Sequence, residues 1–190
     1  MLLSCTSHIA FRLNQYLKNK FELSEDIVVV SNLVNHDGSA CAHVNNRVVL
    51  FIANIEKETA MNTNSQLRSG HFSTAKPVFL NLYLMVSANF TGTNYLESLK
   101  FISSIIGFFQ MQPVFNHQNS PELDANIEKI ILDIENTQTQ ELSNMWSMFG
   151  AKYVPSILYK VRMITIDTNA EVTRTPRISD AGVSVNPEAD

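Results

Sequence analysis

The sequence has little glycine, little charge and almost no cysteine. Its 190 residues include six glycines and two cysteines, and charged residues make up 17% of it, against the usual quarter. It contains neither the Gly-x-Ser-x-Gly turn of a hydrolase nucleophile nor a glycine-rich phosphate-binding turn. Because no other catalytic constellation is recognisable either, we predict that the chain is not an enzyme and needs no cofactor.

Basic clusters and long apolar runs are also missing. The formal net charge is -4 at pH 7, and a nucleic-acid groove needs clustered Lys and Arg, so no nucleic-acid partner is expected. No stretch approaches the roughly 18 apolar residues of a membrane span, which predicts no membrane insertion. The first residues lack the features of a secretion signal. We therefore expect assembly in the cytoplasm, with Cys5 and Cys41 reduced.

Hydrophobic residues make up 45% of the chain, enough to bury the core of one domain. We expect that domain to cover residues 1–167, followed by a flexible polar tail over residues 168–190. The order of predicted elements is typical of an α+β fold, with a mainly antiparallel sheet flanked by about three helices. Hydrophobic periodicity predicts helices at 3–20, 95–112 and 138–149, and strands at 27–31, 47–55, 78–88, 126–136 and 157–167.

Three of these regions lead to more specific predictions. Both alternations of residues 47–55 are apolar, which indicates a central strand covered on both faces. The turn residues between Asn35 and Asn46 indicate a hairpin connection before that strand. The polar segment from Glu58 to Lys76 exceeds an ordinary loop length, which predicts a functional or disordered loop.

The second and third helices carry their own signals. A capping box is predicted at the start of the third helix, with Thr137 as the N-cap and Gln140 at the third helical position. In the second helix, apolar spacings of four, three, four and three predict one buried stripe. That stripe contains Tyr95, Leu99, Ile102, Ile106 and Phe109.

Two groups of residues contain side chains suited to metal binding or to acid/base catalysis. His36, Cys41 and His43 lie in one connection and are ligand types that zinc accepts, but zinc sites usually show paired ligands at short fixed spacings. Ordinary loop residues are the favoured interpretation, and no metal is predicted. Asp133 and Glu135 share one face of a strand, where a solvated outer surface is favoured over acid/base catalysis.

The last strand holds the least expected charges. Lys160 and Arg162 share one face with apolar neighbours, which is costly unless that face lies at an edge or pairs with acidic groups. Contact with a partner and ordinary local pairing are nearly equal interpretations of these two residues.

A series of segments, in the same order along the chain, resembles a known family. The segments are Asn14 to Ser24, Leu80 to Tyr83, Phe101 to Gln110, Val114 to Asn119, Gln140 to Trp146, Gly150 to Ser156 and Tyr159 to Met163. Together they are similar to the tube-cap family of extracellular contractile injection systems, which are phage-tail-like machines. The resemblance runs from the N-terminus to about Asp167.

This resemblance implies a structural cap similar to the tail terminators of contractile-tailed phages. Such proteins form a hexameric ring that ends the inner tube and the sheath at the end distal to the baseplate. The implied partners are other copies of the chain and the tube and sheath subunits. The particle is expected to assemble in the cytoplasm, and the resemblance leaves open whether it is released from the cell. A cap adaptor or another ring component of the same machine is the alternative, and a small-ligand or enzymatic protein is the weaker one. The candidates for subunit contacts are Phe108, Phe115, Tyr153, Tyr159, Lys160 and Arg162.

Overall fold

A computed structural model describes residues 1–58, 78–90 and 92–166, with the side chains of residues 163–166 left out. The predicted loop after Glu58 and the predicted tail therefore lie outside the described residues. Within these ranges, none of the helices combines the length and the apolar character that a membrane span requires. The helices are α1 (Leu2–Phe21), α2 (Tyr95–Met111) and α3 (Thr139–Phe149), and the strands are β1 (Val28–Val30), β2 (Arg47–Lys57), β3 (Val78–Asn89), β4 (Val114–Asn116), β5 (Lys129–Ile134) and β6 (Ser156–Ile166).

The six strands form one sheet in the order β1-β2-β3-β6-β5-β4. Strands β1 and β2 are parallel, and every other neighbouring pair is antiparallel. The predicted α+β fold with a mainly antiparallel sheet and three helices is therefore confirmed. The short edge strand β4 was not predicted, because three residues are too few to show an alternation of apolar and polar side chains.

The first half of β2 is covered on both faces, as its sequence predicted. Val48 and Leu50 belong to the larger core cluster, which α1 and α2 cover. Val49 belongs to a smaller cluster with Trp146 of α3, and the Phe51 and Phe149 rings meet edge to face at 5.0 Å. Two helices thus cover one face of the sheet, and α3 covers part of the other.

Asparagine side chains bond to the backbone of both edge strands. The buried Asn14 of α1 accepts hydrogen bonds from the N–H groups of Ile27 and Val28 at 3.0 and 2.8 Å, and it donates one to the Val28 carbonyl at 2.9 Å. Asn119 accepts from the Asn116 N–H at 2.9 Å and donates to the Val114 carbonyl at 2.8 Å. Unpaired backbone N–H and C=O groups on an edge strand can pair with a strand of another molecule, so these two amides protect the edges of the sheet.

The predicted hairpin connection before β2 is wrong. Because β1 and β2 are parallel, the chain must cross from the end of β1 back to the start of β2. The turn residues do form a turn, in which the Asn35 N–H donates to the Ser39 carbonyl at 2.8 Å, but this turn closes a small bridge between Val34 and Ala40. The turn-forming residues correctly indicated that the chain reverses direction here. They could not show which strands the turn connects.

The predicted stripe of α2 is buried only at Phe109, and the other buried residues of the helix lie outside that stripe. The helix buries Phe101, Ile105, Phe108 and Phe109, whereas Leu99 of the predicted stripe is exposed. Helix α2 is apolar around most of its circumference, so periodicity offers two candidate faces. The aromatic face is buried because its rings pack against α1, with Phe108 stacked on Tyr16 at 4.7 Å.

The capping box of α3 lies one residue later than predicted. Gln138, rather than Thr137, is the N-cap, and its backbone N–H donates to the side chain of Glu141 at the third helical position. Gly150 ends the helix in the left-handed region at φ 66°, a conformation that glycine adopts without strain.

Replacing Asn14 with leucine should lower the free energy of unfolding by about 1–3 kcal/mol, because the backbone groups of Ile27 and Val28 lose a buried partner. Urea denaturation of the purified chain measures this change. Asn19→Ala is the matched control, since Asn19 is exposed on the same helix and its loss should change stability by less than about 0.5 kcal/mol. Equal losses in the two variants would contradict the edge-protecting role.

Candidate interaction surfaces

Three of the six residues predicted to contact neighbouring subunits lie in the core. Phe108 is 7% exposed, Phe115 is 0% exposed and Tyr159 is 1% exposed. Phe109 lies between Phe115 and Tyr159, with its ring centroid 4.9 Å from that of Tyr159 and 6.5 Å from that of Phe115. Packing explains these residues fully, so they cannot form an exposed contact surface. Tyr153, Lys160 and Arg162 stay as candidates.

Lys160 and Arg162 lie on the part of the sheet that α3 does not cover, together with polar residues of the neighbouring strands. Lys160 is opposite Tyr83 of β3 and Asp133 of β5. The Arg162 Nε lies 3.2 Å from Asp133 Oδ2, and the Lys160 Nζ lies 5.5 Å from the centre of the Tyr83 ring. These contacts within the subunit therefore explain how the charges of Lys160 and Arg162 are accommodated next to apolar side chains. We call Glu56, Tyr83, Asp133, Lys160 and Arg162 the polar face.

Hydrogen bonds extend the polar face to β2. The Tyr83 hydroxyl donates to Glu56 Oε2 at 2.9 Å, and the Asn54 amide donates to Glu56 Oε1 at 3.1 Å. Partial burial, followed by the nearby Glu56, raises the pKa of Tyr83. Sequence reasoning missed Tyr83 and Glu56, although the alternation of the β3 sequence could have indicated Tyr83.

A groove of about 220 Å³ lies beside the polar face. Glu56, Glu135 and Glu141 contribute to its lining. Pockets for small ligands usually occupy roughly 300–1,000 Å³, and Glu141 already serves the N-terminus of α3. The groove therefore offers no site of that kind.

Tyr153 lies on a separate surface, in the connection after α3. Its ring is 61% exposed and is held by an edge-to-face contact with Trp146 at 5.6 Å. Met148 is exposed nearby in sequence, and Lys152 has no ion pair within the described ranges. We call Met148, Lys152 and Tyr153 the tyrosine patch.

Helix α2 presents a second apolar face to solvent. Leu96 and Leu99 are 75% and 42% exposed. No charged residue occurs between Phe101 and Gln112, and the only charges of α2, Glu97 and Lys100, lie 3.3 Å from each other. The outward positions repeat at spacings of three and four, the pattern of a helix-packing seam. We call them the outer stripe: Leu96, Leu99, Ser103, Ile106 and Gln110.

Two of the three residues named as possible metal ligands, Cys41 and His43, have other partners. The Cys41 thiol donates to Asn35 Oδ1 at 3.0 Å, and His43 Nε2 lies 2.7 Å from the Ser31 hydroxyl. Across residues 1–58, 78–90 and 92–166, no group of three His, Cys, Asp or Glu side chains could hold a metal ion. Burial raises the pKa of the Cys5 thiol to about 12, so this side chain stays protonated and unreactive at neutral pH.

Comparisons with known proteins place the fold. A family model described as the Pvc16 N-terminal domain matches residues 4–180. A comparison with curated proteins gave no match.

Two solved structures share the fold at low identity. One is the sheath/tube terminator, in its extended state, of an extracellular contractile injection system called PVC; it has a TM-score of 0.55 and 14% identity, and the match covers 100% of this chain and 64% of that one. The other is the tube-terminating cap of the anti-feeding prophage, with a TM-score of 0.51, 13% identity and coverage of 93% and 60%. The chain thus spans less than two thirds of either neighbour. Both are named for a terminating role.

Tyr159→Phe should leave the free energy of unfolding unchanged or raise it by up to about 1–3 kcal/mol, because the buried hydroxyl has no hydrogen-bond partner among the described residues. Phe115→Ala, at an equally buried ring, should instead cost about 3–5 kcal/mol. Thermal and urea denaturation compare the two variants. A loss above about 1 kcal/mol for Tyr159→Phe would indicate that its hydroxyl has a stabilising partner.

Proposed function

Because the chain belongs to the Pvc16 N-terminal domain family, we propose that it terminates the inner tube and sheath of a contractile injection system. In this proposal it is one subunit of a hexameric cap ring at the end distal to the baseplate. The observation that carries the proposal is the fold shared with a sheath/tube terminator and a tube-terminating cap. The sequence segments that resemble the tube-cap family support the same assignment.

The physics of filament ends explains why a ring suits this role. A filament keeps growing because its last subunit presents the surface that the next one binds. A terminator must bind that surface without presenting a copy of it on its other side. A closed ring of heterologous contacts meets this requirement, because each subunit uses its matching surfaces on its neighbours.

The size of the chain is compatible with a ring around a tube. A chain of 190 residues has a radius of gyration of about 16 Å when it is compact. Six such globules in a ring leave a central hole roughly 40 Å across. The proposal treats residues 1–167 as the cap domain and residues 168–190 as a separate tail, and it places assembly in the cytoplasm.

The polar face and Tyr153 are the surfaces that the proposal assigns to partners. Lys160 is half-buried and Arg162 is exposed, so the cations are accessible although each has a local partner. Charged groups at the rim of an interface mainly select the partner and set its orientation. Tyrosine is enriched among residues that carry binding energy, and the exposed Tyr153 ring is already held by Trp146.

Loss of this protein should leave tube and sheath without a defined end. Deletion of its gene is expected to yield particles that are over-long, broadly distributed in length or lacking sheath, as measured by electron microscopy. A copy of the gene supplied in trans should restore the normal length. Particles of normal length and sheath content in the deletion strain would contradict the terminator role.

Arg162→Glu should change particle length or cap-ring size without unfolding the chain. Its pair with Asp133 is about half exposed, and such a pair contributes less than about 1 kcal/mol. The double variant Asp133→Arg/Arg162→Asp restores the pair with reversed charges and serves as the control. If partners bind Arg162, the double variant stays defective. Full recovery would mean that the residue acts only within the subunit, and no defect in the single variant would exclude its role.

A further inference from the structure

Leu96 and Leu99, at the N-terminal end of the outer stripe, are apolar surface that folding of the subunit leaves exposed. Helix α2 already buries a complete apolar face, including Phe101, Ile105 and Phe109. Leu96 and Leu99 nevertheless are exposed, and beyond Lys100 no charged residue occurs between Phe101 and Gln112. Exposed apolar patches on a protein surface usually mark contact with another molecule.

The tyrosine patch has the same character on another part of the molecule. Met148 and Tyr153 are exposed, and no charged residue occurs from Leu142 to Ala151. The edge-to-face contact with Trp146 fixes the Tyr153 ring before any partner arrives. A side chain that is ordered in advance loses less conformational entropy when it binds.

The two surfaces lie on opposite faces of the sheet. Helix α2 packs on the face that contains Val48 and Leu50, and α3 with Trp146 packs on the face that contains Val49. Two different surfaces on opposite sides of one subunit can join copies head to tail, the heterologous contact from which rings are built. An isologous dimer would need a single self-complementary surface instead.

Charge at the margins of the two surfaces is also complementary. Glu97 is exposed in the first turn of α2, next to Leu96, and pairs with the exposed Lys100 at 3.3 Å, so a partner from another subunit would share or replace that pair. Lys152 is exposed next to Tyr153, without an ion pair in the part of the chain that the structure describes. Pairing of these two residues across a contact would place opposite charges at the rim of an apolar centre, the usual arrangement of protein interfaces.

We propose that the outer stripe of one subunit packs against the tyrosine patch of the next copy of this chain, and that this contact closes the ring. The occupant of each surface is thus a second copy rather than the tube or the sheath. The inference rests on the proposed function for the existence of a ring, and it assigns the surfaces that form it.

Two variants test the contact by interrupting it from either side. Leu96→Glu/Leu99→Glu alters the outer stripe, and Met148→Glu/Tyr153→Glu alters the tyrosine patch, all at exposed positions. Each variant alone should lose the ring species and sediment as a monomer, because every contact in the ring needs both surfaces. An equimolar mixture should form a one-to-one dimer and nothing larger, since each variant keeps one intact surface. Analytical ultracentrifugation of the full chain, with circular dichroism to verify folding, provides the measurement.

Leu3→Glu is the matched control, because Leu3 is 74% exposed on α1 and belongs to neither surface. This variant should form rings like the wild type. A charge exchange gives a second test that does not involve the apolar residues. Lys152→Glu alone should weaken the ring. Adding Glu97→Lys and Lys100→Glu to that variant should recover at least part of the lost ring formation.

The possible outcomes separate the two proposals. A wild-type chain that forms no ring, either in solution or on isolated tubes, contradicts the proposed function. A wild-type ring that persists in both surface variants overturns only the assignment of surfaces, and loss of tube binding in those persistent rings would show that the surfaces face the tube. Dimers formed by one variant alone, or a mixture that stays monomeric, would exclude the head-to-tail contact.

Discussion

The buried amide of Asn14 joins helix α1 to the edge of the sheet. A single side chain on α1 makes three hydrogen bonds to the backbone around Val28, and it thereby fixes the helix at the outer edge of β1. This bond set places Leu13 and Leu17 of α1 over the sheet. Helix α2 then packs against α1 through the stacked rings of Tyr16 and Phe108. The helical layer therefore combines this polar contact at the sheet edge with burial of the apolar residues of α1 and α2.

The same contact restricts how subunits can associate. Asn14 and Asn119 occupy backbone groups on the two edge strands, so addition of a foreign strand to β1 or β4 would have to displace them. Contacts through helices and through the polar face remain. The molecule therefore favours recognition by side chains, which can be specific for one partner, over recognition by backbone, which is common to all proteins.

Sequence reasoning succeeded where one physical signal dominated. Helix α1 was predicted because its apolar residues fall on one helical stripe, and strand β2 because its apolar run occupies both alternations. The orientation of α2 was not predictable, since the aromatic face with Phe101 and the aliphatic face with Leu99 satisfy the same period. Contacts with rings of α1 and of the sheet decide between them. The buried Phe115 and Tyr159 were assigned to an interface because a sequence does not show how deep a residue lies. Local pairing of Arg162 with Asp133 depends on strand order, which no local pattern contains.

Both cysteines of the chain are inaccessible, with Cys5 0% and Cys41 2% exposed. A particle that leaves a reducing compartment meets oxygen and peroxides, which attack accessible thiolates. This subunit would present neither thiol to them while it stays folded, and the burial of Cys5 also keeps its thiol protonated. If the chain assembles into a particle that is released, its two cysteines would form no disulfide links with neighbouring molecules while it stays folded.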